Sequence, residues 1–201
     1  MKIKKLFTGC LSALLLGTAA QAQQKSAHDY LNVPGPINFN KTAWHLGWSS
    51  HPSANYYKQE YITAGDNVEK FRKMITIDYL IGPASTKDIV GAKIAELKKQ
   101  KESNPIVQYQ VFENKGEYMI DFLLSANSAD GKKLEIVERN VYRYLLQKDK
   151  SGQPAVVLFA LSERAYGDDI QKFLSGLKTN LQTAQTAVAT FSIPAVTATE
   201  K

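Results

Sequence analysis

Residues 56–81, YYKQEYITAGDNVEKFRKMITIDYLI, constrain the fold more than any other stretch of the chain. Tyr56 to Thr63 is dense in aromatic and β-branched residues, which suit a pleated, half-buried strand. Gly65 supplies a turn, and Asp66 with Glu69 three residues later has the form of a capping box that opens a helix. Val68, Phe71, Met74 and Ile75 recur at helical spacing and would give that helix one apolar side. The stretch therefore predicts a strand, a tight turn and an amphipathic helix folded back on a sheet. It informs on architecture and not on chemistry.

The rest of the composition fits one globular domain: 201 residues, 44% hydrophobic and 22% charged, with 12 Gly and 7 Pro. The first 22 residues read as a secretory signal peptide. Lys2, Lys4 and Lys5 make a basic start, Leu6 to Gly17 is mostly apolar, and Ala20-Gln21-Ala22 is a small-x-small cleavage site. That run is shorter than the roughly 20 residues a membrane helix needs. The chain is thus expected to be exported, periplasmic or secreted, without a transmembrane span. Phe7-Thr8-Gly9-Cys10 partly resembles a lipoprotein site, but the apolar run continues past the cysteine. Cleavage after Ala22 removes the single cysteine, and with it disulfides and thiol chemistry. It also leaves 22 Lys+Arg against 19 Asp+Glu. The remaining basic residues are interleaved with acidic ones, so no clustered face for nucleic acid is expected.

In chain order, residues 23–40 read as an irregular lead-in interrupted by Pro34-Gly35-Pro36. Ala43 to Ser49 alternates, with Trp44, Leu46 and Trp48 on one face of a strand and His45, Gly47 and Ser49 on the other. Ser50 to Asn55 reads as a turn. After the helix predicted from Asp66, Gly82-Pro83 forms a stop. Ser85 or Thr86 caps a second helix to about Glu102, with Val90, Ile94 and Leu97 as its apolar stripe. Four strands follow at 106–114, 117–126, 133–147 and 155–164, joined by short glycine-containing turns. The AVVLFAL run of the last suits a position buried on both faces. Ile170, Phe173, Leu174, Leu177 and Leu181 mark a final helix, and a patternless tail, residues 185–201, is expected to be flexible. The sum is an α+β fold over residues 41–184: a mostly antiparallel six-stranded sheet with three helices packed on it, in the order ββααββββα.

That order, with TyrTyrLysGlnGluTyr at 56–61, Gly65 and a helix containing Phe71 and Met74, resembles the MOG1/PsbP-like α/β sandwich and small uncharacterised exported bacterial proteins of that shape. The resemblance implies a binding or accessory role at most, and no functional residue carries over.

Motifs for chemistry are sparse. The chain has three histidines, His28, His45 and His51, with no third ligand near the last two, so neither a metal nor a cofactor is expected. There is no Gly-x-Ser-x-Gly elbow and no phosphate-binding glycine loop. Asp168-Asp169 reads as a helix N-terminus, and Glu135 and Glu138 face opposite sides of a strand. Trp44 and Trp48 could stack on a flat ligand, but sharing a face with Leu46 favours core packing. Two readings of function stay open. One is a non-catalytic exported binding or accessory protein of the bacterial envelope, recognising an envelope protein or a small ligand; the other is a small secreted hydrolase. Any binding site is expected at the rim formed by His45, Ser50, His51, Ser53, Asn55 and Tyr56, where a proline-stiffened loop gathers polar and aromatic groups.

Overall fold

The computed structural model describes residues 27–199. The expected signal segment, its cleavage site and Cys10 lie outside the described residues. Strands β1 (Ile37–Phe39), β2 (Thr42–Ser53), β3 (Tyr56–Ile62) and β4 (Lys73–Ile81) precede helix α1 (Thr86–Lys101). Strands β5 (Gln108–Asn114), β6 (Glu117–Asn127), β7 (Leu134–Lys148) and β8 (Pro154–Tyr166) then precede helix α2 (Asp169–Thr190). All eight strands form one antiparallel sheet in the order β1-β2-β3-β4-β8-β7-β6-β5. Each half is a four-stranded meander followed by a helix, and the halves join where β4 pairs with β8.

This corrects the expected six-stranded, three-helix fold. The eight strands and two helices run ββββαββββα, not ββααββββα. The resemblance to the MOG1/PsbP-like sandwich rested on the latter order and is not carried further. The helix expected from Asp66 is absent. Asp66 and Asn67 do cap backbone N–H groups, but those of an irregular loop: Asn67 Oδ1 accepts from Glu69 and Lys70, and Asp66 Oδ1 from Arg72. From Lys73 the chain is a strand whose alternate residues bury on opposite faces. Met74 packs with Ile62, Val68 and Phe71, while its neighbour Ile75 enters the main core. The expected lead-in contributes β1, and of the turn expected over Ser50 to Asn55, residues 50–53 are the end of β2.

Both faces of the sheet are covered, unequally. On one face Ile75, Ile77, Tyr79, Val157, Phe159 and Leu161 pack under the last turns of α2 and the segments that flank the domain. Beyond Ala184 the helix continues to Thr190, and the segment after it is packed rather than loose. Val196 is fully buried, Thr197 N–H donates to the Leu31 carbonyl, and Thr199 N–H donates to Tyr30. Arg143 donates to the Val188 and Phe191 carbonyls, which satisfies acceptors that a helix C-terminus leaves open. On the opposite face α1 lays Ile89, Val90 and Leu97 over Ile120, Phe122, Tyr144, Val156 and Leu158. It covers the β5–β8 side of the sheet only. On the β2–β4 side of that face Ile62 and Met74 pack with Val68 and Phe71, and the polar residues Ser50, Lys58, Glu60, Thr76 and Asp78 beside them form the candidate site.

Among the described residues no helix is long and apolar enough to cross a membrane.

Candidate functional site

Register defines the site. A strand alternates its side chains between faces, so residues aligned across neighbouring strands form rows on one face. On the α1 face one row reads Trp48, Glu60, Thr76, Ala160, Tyr142. The next reads Ser50, Lys58, Asp78, Leu158, Tyr144. The row on the other side reads His45, Ile62, Met74, Ser162, Asn140. In the first row the small residues Thr76 and Ala160 lie between the long side chains of Glu60 and Tyr142. Strands are about 4.8 Å apart, so Glu60 and Tyr142 stand roughly 14 Å apart along the row, with Thr76 and Ala160 buried between them.

Trp48 stands on this face because β2 is irregular. The register shifts between Leu46 and Trp48, and Gly47 is the residue inserted there. One extra residue reverses the alternation downstream. Trp44 therefore stays in the core at 3% exposure, whereas Trp48 is on the opposite face at 40%. The expectation that both indoles and Leu46 share an inner face fails at this bulge. Gly47 is close-packed: a Cβ there would meet Ile62 Cγ1 at 3.0 Å and Val68 Cγ1 at 3.1 Å.

The polar groups of the strip are mostly paired. Lys58 Nζ lies 3.1 Å from Glu60 Oε1. Arg164 Nε donates to Glu138 Oε2 at 2.6 Å, and its guanidinium lies 4.0 Å from the centre of the Phe71 ring. Asn140 links Glu138 to Ser162, donating to the former at 3.0 Å and accepting from the latter at 2.6 Å. From α1, Lys93 pairs with Glu96 at 3.3 Å and holds its ammonium 5.1 Å from the centre of the Phe122 ring.

Asp78 breaks the pattern. Its residue is 6% exposed, and Oδ2 accepts from the Tyr56 hydroxyl at 2.9 Å. Oδ1 is buried and has no hydrogen-bond partner among the described residues. The Tyr79 hydroxyl, on the opposite face, is the other such group among the described residues. Buried polar atoms are nearly always satisfied, so an orphaned carboxylate oxygen in a polar strip needs a reason. Burial pushes the Asp78 carboxyl above its ordinary value, opposed by Lys58 and by the Tyr56 hydroxyl. Burial also raises Glu60, against the pull of Lys58 and with a further push from Asp78. The Tyr144 hydroxyl is raised by burial, and the charges of Asp78 and Glu96 add to the effect. Asp78 thus lies close enough to act on both Glu60 and Tyr144.

The six residues expected at the rim divide between the two faces. His45, Ser50, Ser53 and Tyr56 belong to the strip's face, and Tyr56 joins the site through Asp78. His51 lies on the other face, stacked on Tyr57 with ring centres 4.0 Å apart. Asn55 closes the hairpin end, donating through Nδ2 to the Ile81 carbonyl at 3.2 Å. Sequence reading missed Lys58, Glu60, Thr76 and Asp78. The signal was the polar run KQE and the polar residues flanking isoleucine in TID, two segments that only the β3–β4 pairing brings together. Among the described residues no group of three or more His, Cys, Asp or Glu is placed to hold a metal ion.

A model of an uncharacterised protein family matches residues 31–193, a span that contains the whole sheet, both helices and every residue of the strip. No curated protein matches the chain.

Proposed function

The chain belongs to this uncharacterised family, and we propose that it acts as a non-catalytic exported binding protein whose small polar ligand lies along the Trp48–Glu60–Thr76–Asp78 strip. The observation that carries this reading is the buried, unpartnered Oδ1 of Asp78 on a sheet face that α1 leaves to polar residues. Such a group costs stability in the free protein and returns that cost when a donor reaches it. Thr76 and Ala160 place small side chains between Glu60 and Tyr142, and half-exposed Trp48 provides a flat apolar surface beside them. The export part of this reading rests on the N-terminal sequence pattern alone.

Native mass spectrometry of the mature protein after exposure to a small-molecule extract of its host tests the reading. Trp48→Ala and Glu60→Gln variants with wild-type melting temperatures are expected to lose the retained ligand. If both hold every ligand that the wild type holds, the strip is not the site.

A second reading, a small secreted hydrolase, draws on the same two carboxyls. A carboxyl held above its ordinary value is suited to donate a proton in acid catalysis. Turnover of a panel of chromogenic esters and glycosides that disappears in Glu60→Gln would favour it; no turnover in the wild type removes it.

A further inference from the structure

The charges of the strip specify the ligand more closely, provided the strip is the binding site. Among the described residues four carboxylates lie on or beside it, from Glu60, Asp78, Glu138 and Glu96, against three cations, from Lys58, Arg164 and Lys93. Each cation has a carboxylate in direct contact: Lys58 with Glu60, Arg164 with Glu138 and Lys93 with Glu96. Asp78 is the carboxylate left over. Its neighbour on one side is a phenol, Tyr56, which donates a hydrogen bond but brings no positive charge. Lys58 pulls on Asp78 as well as on Glu60, so one ammonium is shared between two carboxylates.

We propose that the strip binds a ligand carrying a protonated primary amine, which donates to Asp78 Oδ1 while its apolar or aromatic portion rests against Trp48. An anionic ligand would meet the surplus carboxylate at short range and is disfavoured. A neutral alcohol can supply one hydrogen bond to Oδ1 but leaves the surplus charge uncompensated. A divalent metal ion requires several oxygen or nitrogen ligands around one point, and the described residues hold no such group. An ammonium has three donors on one atom and makes charge-assisted bonds to carboxylates. Thr76, beside Asp78 in the adjacent row and on the same face, offers a hydroxyl as a further acceptor.

Isothermal titration calorimetry with 4-phenylbutylamine and its neutral counterpart 4-phenylbutan-1-ol separates these cases. The wild-type protein is expected to bind the amine at least tenfold more tightly than the alcohol. Asp78→Asn, which keeps the shape and removes the charge, is expected to reduce that preference to less than threefold. Equal affinity of the wild type for both probes overturns the ammonium assignment and leaves the strip itself standing as a binding site. So does failure of the amine to bind a protein that still retains a Trp48-dependent ligand in the mass-spectrometric experiment. Amine binding that Asp78→Asn leaves unchanged places the amine elsewhere and equally overturns the proposal. Should Asp78→Asn not fold, the wild-type preference between the two probes decides alone.

Discussion

Replacing Asp78 with asparagine is expected to make the protein more stable at neutral pH. Asp78 is 6% exposed, Oδ1 lacks a partner, and burial holds the carboxyl above its ordinary value. A buried acceptor without a partner costs about 1–3 kcal/mol, and more when charged. Asparagine keeps an oxygen for the Tyr56 hydroxyl and removes the charge, although its NH2 group then needs a partner. A net gain of about 1–2 kcal/mol follows, or about 2–8 °C in melting temperature for a chain of this size. The pH dependence has a definite sign. A carboxyl raised in the folded state binds its proton more tightly there than in the unfolded chain. Its stabilising contribution is complete below the unfolded value of about 4 and is lost as pH rises through the raised folded value. The advantage of Asp78→Asn should therefore be largest at pH 7 and shrink toward pH 4. Thermal melts of both proteins at the two pH values measure it. A variant no more stable than wild type at pH 7 would show that the Asp78 charge is already compensated, and would remove the main support for the site.

Other substitutions probe the frame. Arg139 is 1% exposed and grips Asp121 with two hydrogen bonds of 3.0 and 2.7 Å. Arg139→Ala leaves that carboxylate buried with Gln185 as its remaining side-chain donor, and should cost about 3–5 kcal/mol in urea unfolding. Gly47→Val drives two methyl groups toward Ile62 and Val68, which already stand within 3.1 Å of a Cβ, and should cost about 1–3 kcal/mol. Truncation after Thr190 removes Phe191, which packs on Phe39 and Phe159, and the buried Val196. A fully buried side chain such as Val196 contributes about 1.5–3 kcal/mol and partly buried Phe191 adds to it, so the melting temperature should fall clearly rather than stay constant.

The second half of the chain was legible because its signals are local. Short turns with glycine separate β5 from β6 and β7 from β8, and the continuous apolar run of β8 matches its place between β4 and β7. Helix α1 starts where Ser85 caps it, its Oγ accepting from the Asp88 N–H at 3.1 Å. Residues 66–81 misled because two periods coincide there. Val68, Phe71, Met74 and Ile75 satisfy a helical spacing, yet KMITIDYLI is a strand buried on both faces, which has no need to alternate apolar and polar residues. The β-branched ITI triplet was the competing signal. The site was illegible for a different reason. Glu60 and Asp78 are separated by a loop, and polar residues at alternate strand positions read as solvent-facing until the sheet is assembled. Trp48 needed the Gly47 bulge, which alternation alone does not reveal.

The clasp between residues 29–31 and 197–199 bears on the order in which the molecule can form. Thr199 Oγ1 donates to the Asp29 carbonyl across 170 positions of sequence. Closing a loop of 170 residues rather than 17 costs about 2 kcal/mol more in chain entropy, so this contact is unfavourable until other pairings have drawn the ends together. The β5–β6 and β7–β8 hairpins need no such help. A chain emerging from a ribosome can build them early, while Leu31, Ile37 and Phe39 wait for Val196. Folding therefore has a late, sealing step, and an assay that follows protection of the Leu31 region should report it after the meander is complete.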